Sequence, residues 1–355
     1  MPCSTPRPGC SATPPAAGCR CWWTRCSGAS PTSHRSGRSS PPLVEDRWLA
    51  ERLRERDTRP DPALTTPAGL ARLLDLDGGE LRWFADLRGL ESTVTDSALL
   101  HHRRWWVAKR AGGSRLVEAP KPRLLEIQRR LLTRVVTAAE AHPAAHGARP
   151  GTGVLTAAAP HAGQAVVVHL DLEDFYASVT AGRVAGVLRR AGHPAPVAAL
   201  LTGLLTTVTP PADRTAPRSR VDPDRLWRQR RRLAAPHLAT GAATSAAVAD
   251  LVALALDRRL AGAAASLGFT YSRYVDDLCL SSADPAAPVD GMTRLAQRVV
   301  VAEDFRPAVG KTTVRRAGQQ QWVAGLVVND RPRVARRDVD RLRGTAPAGS
   351  RRRHR

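Results

Sequence analysis

Lysine is almost missing from this chain of 355 residues: it occurs only at Lys109, Lys121 and Lys311, so the formal charge of +22 rests almost wholly on arginine. The sequence also has no apolar run of about 18 residues, which excludes a hydrophobic transmembrane helix. Charged residues and prolines interrupt the N-terminus where a signal peptide needs its apolar centre. A disulfide framework is lacking as well. Cys3, Cys10, Cys19, Cys21 and Cys26 crowd into the first 26 residues, and Cys279 stands alone. The expectation is a reduced, cytoplasmic protein. The Cys19/Cys21/Cys26 cluster lacks two paired ligand sets at zinc spacing, and Cys279 reads as a small buried hydrophobe in a strand. No internal repeat is visible.

What the chain does have is a strongly positive field, and that predicts a polyanionic partner whose phosphates arginine contacts in bidentate fashion. Nucleic acid fits better than an anionic membrane surface, because the arginine-rich stretches have no matching apolar face. The length is enough for one large or two ordinary domains with a sizeable core.

Residues 1–42, rich in Pro, Ser, Gly, Cys and Arg without periodicity, read as disordered or as a non-native extension. A small helical region is expected over 43–100, from Trp48, Leu49 and Leu53 and then Leu70, Leu73 and Leu74, with Thr65-Thr66-Pro67 as cap and first turn of its second helix. Trp105 to Pro120 reads as a hairpin turning at Gly112-Gly113. A helix follows with Leu124, Leu125, Ile127, Leu131, Leu132 and Val135 inward and Gln128, Arg129 and Arg130 more exposed. Next come a strand over 165–172 and a helix through Val184, Val187 and Leu188. The Pro/Arg/Asp stretch over 210–233 reads as a long insert, either a solvated charged loop or a nucleic-acid contact surface carrying Arg228, Arg230, Arg231 and Arg232. Gly241-Ala242-Ala243-Thr244-Ser245 opens another helix, with Thr244 or Ser245 as cap and Val248, Leu251, Val252, Ala255 and Leu256 buried. Further on, Val314 and Trp322-Val323 flank a turn at Ala317-Gly318, Gly325 to Asn329 closes the regular part, and an arginine-rich tail follows.

Two segments carry chemistry. Tyr274-Val275-Asp276-Asp277 sits between Thr270-Tyr271 and Leu278-Cys279-Leu280, which places adjacent carboxylates at a tight turn between strand-like flanks. Val166-Val167-Val168-His169-Leu170-Asp171-Leu172 ends a β-branched run with another carboxylate, followed by Asp174-Phe175-Tyr176. Carboxylates from separate strands converging on two Mg²⁺ ions about 3.5–4 Å apart are what in-line nucleotidyl transfer needs. Asp171, Asp276 and Asp277 are the candidate catalytic residues.

The order of these segments resembles the bacterial reverse transcriptases, and among them the retron type, over roughly residues 65–343. The stretch from Leu170 to Tyr176 is similar to that family's first catalytic motif. Gly241 to Ser245 resembles its template- and nucleotide-facing loop, and Tyr274 to Asp277 its signature hairpin. Lys311-Thr312 and Val323 to Asn329 resemble the two following motifs, and Arg115, Pro120 and Leu124 to Gln128 the fingers segment. The resemblance implies an α+β, right-hand polymerase fold. Fingers and palm would occupy 101–330, with an antiparallel palm sheet flanked by helices, and 331–355 would be a short basic tail or thumb remnant.

By that resemblance, two Mg²⁺ ions, or Mn²⁺ in their place, are held by Asp171, Asp276 and the Leu172 carbonyl, with Asp277 in support. Tyr176 would exclude a 2′-OH beneath the incoming sugar, the competing reading being an ordinary core residue. Arg115 would clamp the triphosphate, Gly241 would face the nucleotide, and Lys311 would protonate or neutralise the pyrophosphate leaving group or simply be exposed. The implied partners are an RNA template, a DNA or RNA primer, dNTPs, a structured non-coding RNA and a neighbouring effector protein of phage defence, with no membrane. Two family features differ. Ala157-Ala158-Ala159-Pro160-His161 stands where Asn-Ala-x-x-His is usual, and Val323-Ala324-Gly325 where Val-Thr-Gly is usual; both are tied in the family to recognition of its own RNA. The alternatives are a non-catalytic RNA-binding protein of the same fold and an RNA-templated RNA polymerase. The three carboxylates oppose the first, since a protein that only binds a polyanion gains nothing from clustered negative charge. Tyr176 opposes the second.

Overall fold

The structure, a computed structural model, describes residues 64–109, 113–137, 141–216 and 222–345. Trp48, Leu49, Leu53, Gly112 and the Cys19/Cys21/Cys26 cluster lie outside those residues.

Thr66 starts α1 (Pro67–Leu74) as expected: its extended backbone brings the hydroxyl to the Gly69 amide at 3.1 Å, and Pro67 takes a position where no N–H is needed. Helix α2 (Gly78–Ala85) opens with a reciprocal capping box between Asp77 and Glu80. Strands β1 (His102–Ala108) and β2 (Ser114–Pro120) form an antiparallel hairpin with Trp105 opposite Val117 and Val107 opposite Arg115. Helix α3 (Pro122–Leu131) buries Leu124, Ile127 and Leu131. Gln128, expected to be more exposed, is buried too. It lies four residues after Leu124 and therefore on the same face, and its amide donates to the Leu204 carbonyl at 3.1 Å.

The central sheet is antiparallel, in the order β6-β7-β3-β8, from β3 (Val166–Asp171), β6 (Thr270–Tyr274), β7 (Asp277–Ser282) and β8 (Thr313–Arg316). One side packs on the main core through Val166, Val168, Leu170, Leu278 and Leu280, together with helices that include α6 (Ala181–Arg190), α7 (Ala195–Leu205), α9 (Ser245–Val252), α10 (Leu254–Ser266) and α11 (Val289–Ala302). On the other side Val167 and Cys279 pack with Ala158 of α4 (Val154–Ala158) and Val323, Leu326 and Val328. A strand covered on both faces is uniformly apolar, which is why β3 begins with three consecutive valines. Short α5 (Phe175–Ser178) follows β3, and β4 (Thr206–Thr207) pairs with β5 (His237–Leu238).

Three expectations need correction. The 210–233 stretch is not a loop throughout: α8 (Pro223–Ala234) forms there, capped by Asp222, whose carboxylate accepts the Arg225 amide at 3.2 Å. Ala255 is exposed, because α9 ends at Val252 and α10 restarts the helical phase. Val314 and Trp322-Val323 flank a turn at Ala317-Gly318 as expected, in strands that do not pair with each other. β8 pairs with β3, while β9 (Trp322–Val323) pairs with β10 (Leu326–Val327) across Ala324-Gly325, both at positive φ, 47° and 82°, as a tight two-residue hairpin turn requires. Regular structure also continues past Asn329, into α12 (Arg336–Thr345).

Candidate active site

Strand parity gathers the carboxylates. Successive side chains alternate across β3, so Val167, His169 and Asp171 share the face opposite Val166, Val168 and Leu170. The register carries the first set onto Ser281, Cys279 and Asp277 of β7, which makes Asp171 and Asp277 direct cross-strand partners at one end of the sheet. Tyr274 pairs with Asp277, so the hairpin closes over only Val275 and Asp276. Val275 has φ 59°, a left-handed conformation that a β-branched residue seldom adopts. The Leu172 amide donates to the Asp276 carbonyl at 2.9 Å and ties this turn to the end of β3. Gly147 lies against the other side of the turn, where a Cβ would stand 2.7 Å from Val275 Cγ2.

Two of the carboxylates have a basic neighbour. Lys311 Nζ donates to Asp171 Oδ2 at 2.7 Å, and His169 Nδ1 lies 3.2 Å from Asp277 Oδ1. Burial pushes the Asp276 carboxyl above its ordinary range and the Asp171 charge adds to the rise, while Arg115 acts against it. Among the described residues no group of three or more His, Cys, Asp or Glu side chains forms a metal cage by itself. The donor set is instead all oxygen: two neighbouring carboxylates, plus a Leu172 carbonyl that the adjoining strand contacts leave aside, since the 306–308 segment bonds the Asp171 carbonyl and the Glu173 amide. That set suits Mg²⁺, which binds through one or two carboxylates and completes its octahedron with water and substrate phosphates.

Tyr176 lies half-buried beside this cluster, its ring 5.6 Å from that of Phe175. Burial, then the Asp276 and Asp250 charges, push its phenol up to about 12, so it stays neutral. Gly241 has φ 118° and sits against β2, where a Cβ would stand 3.3 Å from Val117 Cγ1, and the preceding Thr240 carbonyl accepts the Glu118 amide at 2.7 Å. Arg115 is exposed on the same strand. Lys109, which no motif in the sequence marks, joins the basic groups: burial pushes its ammonium down, Asp174 opposes this, and the charges of Arg115, Arg225 and Lys311 add to it.

The arginines of α8 divide by helical face. Arg228 Nε donates to Glu173 Oε1 at 3.2 Å, and Arg232 Nη1 reaches Glu173 Oε1 and Asp174 Oδ2, each at 3.2 Å. Arg230 and Arg231 face outward, with Arg231 5.4 Å over the ring of Trp227, itself 60% exposed. The inward pair follows from the i, i+4 spacing of 228 and 232, visible in the sequence once a helix is assigned.

His161 is fully buried beneath the paired-aspartate hairpin. Its Nε2 is 2.7 Å from Ser272 Oγ and its Nδ1 2.6 Å from Ser281 Oγ. Ser272 Oγ already donates to the Ala157 carbonyl at 3.1 Å, so it accepts from Nε2–H, and Ser281 donates to Nδ1. Burial pushes the imidazole down to about 3, which keeps it neutral. The ring therefore braces β6 against β7 and faces no solvent.

No family model matches the chain. A Retron Mx65 reverse transcriptase of Myxococcus xanthus is 39% identical over 283 residues, covering 79% of this chain and 62% of that protein. A Retron Mx162 reverse transcriptase of the same organism is 38% identical over 317 residues, covering 85% of this chain and 61% of that protein. Among solved structures, a telomerase from Candida albicans in complex with a fragment of telomeric RNA gives a TM-score of 0.42 at 12% identity, over 64% of this chain and 45% of that one, too loose a likeness to bear on the fold. The chain spans about three fifths of the length of the curated relatives it matches. At 38–39% identity over most of its length, the chain is similar to these two retron reverse transcriptases.

Proposed function

We propose that this chain is an RNA-directed DNA polymerase of the retron type, extending a DNA or RNA primer with dNTPs on an RNA template. The observation that carries this reading is the junction of β3 with the β6–β7 turn, where Asp171 lies opposite Asp277 and the Leu172 amide holds the Asp276 carbonyl. In this reading the β6-β7-β3-β8 sheet is the palm, the β1–β2 hairpin belongs to the fingers, and α12 is the thumb remnant.

Asp171, Asp276 and the Leu172 carbonyl would hold the metal, with Asp277, oriented by His169, in support. Two Mg²⁺ ions, or Mn²⁺ in their place, when bound would supply Lewis-acid activation of the attacking and leaving oxygens. Arg115 offers the triphosphate a planar, permanently charged pair of donors. Lys311, free to exchange its Asp171 partner for phosphate, neutralises charge on the departing pyrophosphate. Tyr176, neutral and half-buried, closes the space beneath the sugar. Gly241 and the loop it begins lie against β2, where template and nucleotide meet. The outward face of α8, with Trp227, Arg230 and Arg231, suits a single strand by combining phosphate contacts with a stacking ring, whereas Arg228 and Arg232 position α8 on Glu173 and Asp174. A structured non-coding RNA, a neighbouring effector and a role in phage defence are the wider setting that the family resemblance implies.

The test is primer extension on an RNA template with Mg²⁺, comparing dNTPs with NTPs. Extension with dNTPs alone supports the reading. Equal use of NTPs moves it to an RNA polymerase, and binding without extension moves it to a non-catalytic RNA-binding protein.

A further inference from the structure

Arg273 is fully buried in the core, an unusual place for a guanidinium, and four of its N–H groups are used. Nε and Nη2 grip Asp257 of α10 side-on, at 2.8 Å to Oδ1 and 2.7 Å to Oδ2. Nη1 reaches Asp250 Oδ1 of α9 at 2.8 Å and the Val275 carbonyl at 3.0 Å. The guanidinium carbon lies 5.7 Å from the ring centre of Phe175, the residue before Tyr176. Its backbone is held as well: the amide donates to the Ala144 carbonyl at 2.8 Å, and the carbonyl accepts the His146 amide at 2.9 Å.

A core filler needs none of this. A buried ion pair adds little net stability compared with apolar packing of the same volume. Asp250 is also imperfectly used, since its Oδ2 is buried with no hydrogen-bond partner. The group that gains is the turn. Val275 holds φ 59° although its side chain disfavours it, and such a conformation persists only where the surroundings over-determine it. Arg273 from inside and Gly147 from outside are those surroundings.

We propose that Arg273 is a positioning residue: its guanidinium, anchored on Asp250 and Asp257, fixes the Val275 carbonyl and thereby sets the direction of the Asp276 carboxylate. The consequence for catalysis rests on the polymerase reading above. Asp250 stands on the helix that follows the Gly241–Ser245 loop, so Arg273 links that helix to the turn that carries Asp276 through one side chain.

The experiment uses the full chain with Arg273→Lys and, as a milder variant that spares the Asp257 anchor, Asp250→Asn. Hydrogen exchange of the 274–278 peptide is compared with that of β3 and α10, alongside single-nucleotide incorporation. In Arg273→Lys the turn amides are expected to exchange about tenfold faster while β3 and α10 keep their protection. kcat should fall by about tenfold or more, with KM for dNTP within about threefold, because a small misplacement of a reacting group is costly. Asp250→Asn should move both readouts the same way by about threefold. Unchanged turn exchange in a folded variant overturns the proposal, as does exchange that rises equally in β3 and α10. If Arg273→Lys does not fold, Asp250→Asn decides by the same criterion. Absence of incorporation by the wild type would count against the polymerase reading alone, since the exchange comparison still decides what Arg273 does.

Discussion

Asp171 and Lys311 meet at 2.7 Å, although 140 residues separate them in the chain and Lys311 is one of only three lysines. Lys311 thus neutralises a carboxylate that the proposed metal would otherwise neutralise. Lys311→Met should therefore act in two directions. Removing a competing cation lowers the Mg²⁺ concentration needed for half-maximal activity, while losing charge at the leaving group lowers kcat by about a hundredfold. A Mg²⁺ titration of single-nucleotide incorporation checks both, and unchanged kcat would leave Lys311 only a surface ion pair.

Tyr176→Ala should admit ribonucleotides. The phenol is neutral and the ring half-buried, so its effect on the sugar is steric; misplacing a reacting phosphate costs about a hundredfold, and discrimination should fall by that order. Matched dNTP and NTP incorporation by both proteins is the measurement. Equal discrimination by the two would make Tyr176 a packing residue.

The faces of α8 should behave differently. Arg230→Ala with Arg231→Ala should reduce the salt slope of RNA binding, each lost phosphate contact contributing about 0.7–0.9 to its magnitude. Arg228→Ala with Arg232→Ala should chiefly cost stability, about 1–3 kcal/mol, because it strips partners from the buried Glu173. A salt slope that responds only to the second pair would reverse this division.

Stability should fall on mild acidification. His161 titrates near 6.5 when unfolded but about 3 when folded, so between those pH values the unfolded chain binds more protons and is favoured. The contribution is whole above pH 6.5, and about 2 kcal/mol of it is gone by pH 5. Against the push of burial, His237 and Arg104 hold Glu118 down to about 2, so its stabilisation is present above 4.5 and is lost only below it. Urea midpoints at pH 8, 6 and 5 should fall in that order, and less steeply in His161→Gln. Equal wild-type midpoints at pH 8 and 5 would contradict a buried neutral imidazole.

Local features were legible in the sequence. A β-branched run placed Asp171 at a strand end, strand-like flanks on both sides placed Asp276 in a turn, and Thr66-Pro67 marked a helix start. His169 was legible too, since it shares parity with Asp171, but it was read only as part of an apolar run. What depends on distant partners was hidden. Gln128 looks like a surface residue until the Leu204 carbonyl is opposite it, and Arg273 looks like one more arginine in a basic chain until Asp250 and Asp257 surround it. Helix α8 was masked by the Pro, Asp and Arg of its first turn, which read as a loop although Asp222-Pro223 is also a cap and first position.

The most direct measurement is Mg²⁺-dependent incorporation of one dNTP on a primed RNA template by wild type, Asp171→Asn and Asp276→Asn, with RNA affinity measured on the same preparations. Each substitution removes one carboxylate charge from the junction of β3 and the β6–β7 turn, where the proposed metal would bind. Loss of incorporation by about a thousandfold or more is expected, with RNA affinity within about threefold of wild type. Incorporation within about tenfold of wild type by either variant would contradict the assignment of these carboxylates to catalysis.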